Sequence, residues 1–251
     1  MRHRLRAGLI HLSLSAAIAA LVFLPIYFLW YPDVLYDYAG GKDLFLLIVG
    51  VDVTLGPLIT TCIFVPGKRG LIFDLVVIAT LQLSALSYGV YVLFESRPVY
   101  IVYVKDRFEL VRANAYPEGR LEKPEAGKWA QLPLTGPKII GVRMPTDPNE
   151  QFEAALLGMG GVDVQLNPKY YVTYKEVEGQ VRGKGEPLEL LRKRNPARVA
   201  DVNALAKYLG RKEEDLRFLP LRAGKVDLTV IVDAKTGEIL KISSIKPWGD
   251  V

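Results

Sequence analysis

Three long apolar runs occupy most of the first 94 residues of this chain, and they limit its architecture more than anything that follows. They cover residues 8–30, 44–65 and 71–94, and the first contains no Asp, Glu, Lys or Arg. Crossing a hydrocarbon core of ~30 Å takes about 20 helical residues, so each run is long enough. The rest of the chain is too small to bury all three as a soluble core. In lipid a segment must satisfy its own backbone groups, which dictates helices. A cleaved signal peptide is the competing reading of the first run, since Arg2, Arg4 and Arg6 precede it. Its length and its ending, Tyr27-Phe28-Leu29-Trp30-Tyr31, favour a retained helix with an aromatic belt at the interface.

Charge sets the expected orientation. The loop 31–43 holds Asp33, Asp37 and Asp43 against Lys42, whereas the next loop holds Lys68 and Arg69. Basic flanks stay cytoplasmic. The amino terminus is therefore expected inside and everything after residue 94 outside. In a Gram-negative cell this is a multi-pass protein of the bacterial inner membrane with a periplasmic C-terminal domain. Residues 1–96 form the membrane domain and hold six basic and six acidic residues. The net charge of +5 thus belongs to residues 97–251. Outside the cytoplasm that charge implies no nucleic acid; it suits an acidic protein surface or anionic headgroups.

Inside the membrane, Asp52 is the costliest residue. It lies near the middle of the second run, where an ionised carboxylate costs at least ~2.5–3.5 kcal/mol. Gly56 and Thr60 follow on the same face, and Pro57 frees the carbonyl of Val53. The spacing predicts a kink around residues 52–57. Gln82, near the middle of the third run, falls at the depth of Asp52, because the two helices run antiparallel. Two readings stand for this pair: a hydrogen bond within the bundle, or a polar site that receives a helix from another membrane protein. His11 lies about one turn inside the first run, as an interfacial polar residue or a partner for an acidic group. Ser13, Ala16, Ala17 and Ala20 offer small residues for close helix contact. The contact set for a partner helix is thus Asp52, Gly56, Pro57, Thr60, Gln82 and His11.

Residues 97–251 read as one soluble domain of α+β class with mainly antiparallel strands. Strands are predicted at 99–104, 108–112, 138–142 and 170–174, the first two joined by a turn at Lys105-Asp106-Arg107. A surface loop is expected at 114–128. Helices are predicted at 147–157, with Asp147 as N-cap, and at 187–194 and 196–209, the last ended by Gly210. Residues 226–232 and 238–245 flank the turn cluster Asp233-Ala234-Lys235-Thr236-Gly237 and should form a hairpin.

Catalytic chemistry has little to work with. The chain has one cysteine, Cys62, and two histidines, His3 and His11, all outside this domain. Gly158-Met159-Gly160-Gly161 lacks the spacing of a phosphate-binding loop, and Asp163 and Asp233 make no readable metal cluster. The expectation is a protein that is not an enzyme, with no catalytic residue, no metal and no cofactor.

Several segments, in order along the chain, resemble the type IV pilin accessory proteins of the TfpX/TfpZ kind. They are RLRAGLIHLSLS from Arg4, FLWYP from Phe28 and GGKDLFLLIVGVDVTLGPLITTCIF from Gly40. RPVYIVYVKDRFELV from Arg97, NPKYYVTY from Asn167, FLPL from Phe218, VDAKTGEIL from Val232 and a terminal KPW complete them. The resemblance implies an inner-membrane, non-enzymatic, chaperone-like factor whose partners are a cognate type IV major pilin and other pilus assembly proteins. The three helices would shelter the pilin helix and the outer domain would hold its head. His11 or Arg6 would meet the acidic residue that type IV pilins carry near their amino terminus. Two other classes remain open on the residues: a membrane-anchored periplasmic ligand-binding or sensory protein, and a membrane enzyme or small transporter using Asp52.

Overall fold

The computed structural model describes residues 1–249; Asp250 and Val251, the end of the expected outer domain, lie outside the described residues. The chain divides into two compact units, Met1–Arg97 and Pro98–Val251.

The first unit contains α1 (Arg2–Pro25), which runs on through a π-turn (Ile26–Trp30), a short α2 (Val34–Tyr38), α3 (Gly41–Ile63) and α4 (Leu71–Glu95). The three long helices are each long and apolar enough to cross a membrane. Pro25 lacks a backbone N–H, and directly after it the helix widens, with Tyr31 N–H bonding Ile26 O at 2.8 Å. Gly40 (φ 87°) and Gly70 (φ 86°) supply the left-handed residue from which α3 and α4 start. Pro57 sits inside α3, and the helix continues through it.

Helix α3 is the central element, with α1 and α4 packed on it. Glycines mark the crossings, where backbones approach too closely for a side chain. A Cβ on Gly8 would strike Thr61 Oγ1 and lie 3.2 Å from Pro57 O; one on Gly89 would lie 2.6 Å from Ile48. The small-residue face expected on α1 is therefore displaced. Ser13, Ala16, Ala17 and Ala20 are exposed, and Gly8 and Ser15 are the buried positions.

At one end the unit is closed. Tyr31 is fully buried, and its hydroxyl donates to Leu93 O (3.2 Å) beside Ser96 Oγ (3.1 Å). Ile26, Leu35 and Leu93 are buried with it. Phe23 gathers the rings of Tyr27, Tyr36 and Phe45 at centroid distances of 5.3, 5.5 and 5.4 Å.

The second unit is built on an eight-stranded sheet. Its strands are β1 (Pro98–Val104), β2 (Arg107–Arg112), β3 (Lys138–Val142), β4 (Tyr171–Thr173), β5 (Glu186–Pro187), β6 (Leu216–Arg222), β7 (Asp227–Asp233) and β8 (Ile239–Ser243). Its helices are α5 (Pro148–Met159), α6 (Tyr174–Lys184), α7 (Leu188–Arg194) and α8 (Val199–Leu209). The order is β4-β3-β1-β2-β6-β7-β8, with β5 also paired to β6.

The sheet is mixed, which corrects the expectation of mainly antiparallel strands. β1 pairs β3 in parallel, and β2 pairs β6 in parallel. Both pairings join strands separated by long connections, which leave no local turn signal. The hairpins β1–β2 and β7–β8 form where the turn residues place them. Lys105 takes φ 58°, with Asp106 N–H bonding Val104 O at 2.7 Å.

Among the elements that went unread are β6 and α6. β6 contains Pro220, which argues against a strand; it pairs Thr229 of β7, in the interval where the other edge of β6 changes partner from β5 to β2. Helix α6 starts in the stretch expected as strand. It is polar, burying only Val177 and Val181, and a capping box of Thr173 and Glu176 begins it. Val177 packs so closely on β3 that a Cβ at Gly141 would lie 2.5 Å from it. One apolar cluster lies around Tyr100, Val102, Ile140 and Tyr171, and a second joins α7 and α8 to Phe218 and Ile231.

Candidate functional site

In the first unit α1 and α4 stand apart over α3, leaving a cleft. Its middle section, about 110 Å³, is lined by His11, Leu14 and Ile18 of α1, Asp52 of α3, and Gln82 and Leu83 of α4, among others. Toward the amino terminus it widens to about 450 Å³ between Arg6, Ile10 and His11 on one side and Leu75 and Ala79 on the other, with Thr60 on its floor. Along α1 the two sections run from His3 to Ala19, about 24 Å at 1.5 Å per residue. That is most of a ~30 Å hydrocarbon core.

The polar residues singled out from the sequence meet at the floor of this cleft. His11 Nδ1 lies 2.6 Å from Thr60 Oγ1, joining α1 to α3. Gln82 Nε2 donates to the backbone carbonyl of Asp52 at 3.2 Å, joining α4 to α3. Gly56 sits between the two: a Cβ there would strike the Gln82 amide nitrogen and lie 2.8 Å from His11 Nε2. Gly56 and Thr60 are buried within the unit, and Pro57 O accepts from Thr61 Oγ1 at 2.7 Å. Gly56 and Thr60 thus sit at the helix contacts, whereas the Pro57 bond lies within α3. His11, Asp52 and Gln82 line the middle section, and Thr60 joins His11 in the wide one.

Sequence reading missed Gly8, whose burial sets the approach of α1 to α3. Its signal was available, since Gly8 and Ser15 stand seven residues apart on one helix face. Charge concentrates at the wide end. Arg2, Arg4 and Arg6 make no ion pair among the described residues, while Asp74 is held by Lys68 at 2.5 Å.

The second unit adds an exposed surface. Helix α5 is capped by Asp147, whose carboxylate accepts from Asn149 N–H and Glu150 N–H at 2.9 and 3.1 Å. Phe152, Leu156 and Met159 lie on one stripe of it at helical spacing, 71%, 59% and 88% exposed. Glu150 pairs with Lys169 at 2.9 Å beside this stripe. Asp233, which the sequence left as a lone acid, organises the β7–β8 turn. Its carboxylate accepts from Lys235 N–H (2.8 Å) and Thr236 N–H (2.9 Å), bonds that hold it below the usual carboxylate range. Among the described residues no group of His, Cys, Asp and Glu is placed to hold a metal ion.

Comparison with known proteins places these features in context. A family model described as "Fimbrial assembly protein FimB" matches residues 1–33. The "Fimbrial assembly protein, serogroup I" of Dichelobacter nodosus is 33% identical over 232 residues, covering 89% of this chain and 88% of the relative. The serogroup E1 protein of the same organism is 32% identical over the same shares. A third, from serogroups C1 and C2, is 40% identical over 104 residues, 41% of this chain and 79% of that protein. No solved structure matches the chain.

Proposed function

Because the chain belongs to the fimbrial assembly protein family defined by these relatives, and so to proteins of pilus assembly, we propose that it is a non-enzymatic accessory factor of the TfpX/TfpZ kind that holds a pilin before assembly. It lies in the bacterial inner membrane with its second unit in the periplasm. The basic residues at positions 2, 4, 6, 68 and 69 and the acidic loop around Asp33 and Asp37 support that orientation.

The observation that carries the reading is the cleft. A bundle closed at the Tyr31 end and parted between α1 and α4 offers an apolar trough most of a membrane deep, with His11, Asp52 and Gln82 on its floor. A single apolar helix laid in it would gain van der Waals contact along its length and polar partners at mid-depth. His11 or Arg6 would stand near an acidic residue at the cytoplasmic end of that helix. The α5 stripe of Phe152, Leu156 and Met159 is the corresponding surface for the pilin head, since an exposed apolar patch marks a protein contact.

Photo-cross-linkers at Leu14 and Leu83, which line the cleft, test the membrane contact. Adducts with the pilin are expected there and not from Leu47, exposed elsewhere on α3. Equal yields from all three positions, or none from the cleft, would overturn it. Asp52→Leu, inserted normally, is expected to lower pilin level and piliation; unchanged pilin would remove Asp52 from the site.

A further inference from the structure

The wide end of the cleft differs in chemistry from its middle, and the difference points to a ligand other than a helix. From His3 to Leu14 it spans about 16 Å of α1, taking in the basic segment before the apolar run at residue 8 and the first two turns of that run. Its walls, Ala7, Ile10, Leu14, Leu75 and Ala79, are apolar. The polar groups on its floor, His11 and Thr60, are bonded to each other, so they ask nothing of a ligand. Arg6 brings positive charge to its rim, which His3 also lines, and no carboxylate pairs with Arg6 among the described residues. The one acid on the facing helix near that end, Asp74, is bonded to Lys68.

We propose that this section is a binding site for one anionic phospholipid of the cytoplasmic leaflet. Its phosphate rests on Arg6 and His3, and an acyl chain lies between Ile10 and Leu75. Charge complementarity selects the occupant. A zwitterionic lipid would fill the apolar channel equally well but would bring no net charge to the rim, whereas each basic residue near an anionic headgroup adds attraction. Depth fits a lipid of that leaflet, because the rim precedes the apolar run at residue 8 and the section stays short of the middle of the helices. A helix laid along the whole cleft would share His11 and Leu14 with the lipid. Lipid release would then accompany pilin entry; that coupling rests on the pilin reading above, whereas the lipid site rests only on the membrane orientation proposed there.

Native mass spectrometry of the full chain tests it, after reconstitution in phosphatidylcholine containing a minority of phosphatidylglycerol. The expected result is one phosphatidylglycerol retained per chain under activation that strips the other lipids. Arg6→Gln with His3→Gln should lower that retention about fivefold or more. Arg4→Gln, outside the cleft, should leave it unchanged. Equal retention of the two lipids by the wild type, or equal loss in both variants, would show annular lipid only and overturn the site. A two-copy species in place of the lipid adduct would assign the channel to a second chain and also overturn it. Adding pilin separates the two ideas: a retained lipid that pilin fails to displace refutes the shared cleft, and leaves the lipid site standing.

Discussion

Gly56→Ala sets a single methyl group against two bonds, one from α1 and one from α4, that meet α3. The new Cβ would strike the Gln82 amide nitrogen and lie 2.8 Å from Gln82 Cδ and His11 Nε2. To make room, Gln82 must leave the Asp52 carbonyl at 3.2 Å, or His11 must leave Thr60 at 2.6 Å. An interhelical hydrogen bond in a membrane protein is worth ~0.6 kcal/mol on average and up to ~1.7. Overpacking adds ~1–3 kcal/mol. The substitution also gains up to ~1 kcal/mol of helix propensity, so the net loss is about 1–3 kcal/mol. Gly50→Ala removes that last term from the comparison. It is the same change in the same helix, and a Cβ there meets nothing within 4 Å. It should be neutral or stabilising by up to ~1 kcal/mol. Reversible unfolding of both variants in mixed detergent micelles should separate them by about 2–4 kcal/mol. If they agree within about 0.5 kcal/mol, less than the average interhelical bond, Gly56 is not the joint of the three helices.

Three further outcomes concern the second unit. Gly237 takes φ 83°, and a Cβ on it would lie 2.6 Å from Glu178 O; Gly237→Ala should cost about 2–4 kcal/mol through the left-handed conformation and the clash, whereas Gly183→Ala, with open space around it, should be neutral or better in the same denaturant titration. Asp233 is held below the usual carboxylate range by the N–H groups of Thr236 and Lys235, and Glu176 by the N–H and hydroxyl of Thr173. A depressed folded value means that their stabilisation is complete above the unfolded values of about 4 and is lost as pH falls through the folded ones; stability that stays flat from neutral pH down to pH ~3 would refute it. Burial pushes Tyr103 up to about 12, Tyr116 and Tyr174 higher still, and Tyr171 well above its ordinary value. The unfolded chain ionises first, so stability should fall as pH rises above ~10, and an ultraviolet titration should find these tyrosines silent until the unit unfolds.

The sequence by itself determined the elements whose causes are local. Three helices long enough for a membrane follow from unbroken apolar length, because backbone groups in lipid must bond within their own segment. The β7–β8 hairpin follows from Asp233 to Gly237, where a short carboxylate and a residue free to take positive φ make the turn. The N-cap at Asp147 and the left-handed end of α8 at Gly210 have the same local origin.

Only the tertiary structure decided what depends on distant partners. Pro220 reads as a strand breaker, yet it sits inside β6, because its place between the pairings of β5 and β2 was set by strands far away in sequence. Helix α6 has too few apolar residues to announce itself, and its two buried valines matter because a sheet lies against them. Asp52 and Gln82 were matched by depth alone, but the bond runs to the Asp52 carbonyl, and Gly56 is wedged between Gln82 and His11. Depth along a helix is legible from residue counting. Rotation about its axis, and so which residues line the cleft, is settled only when the neighbouring helices pack.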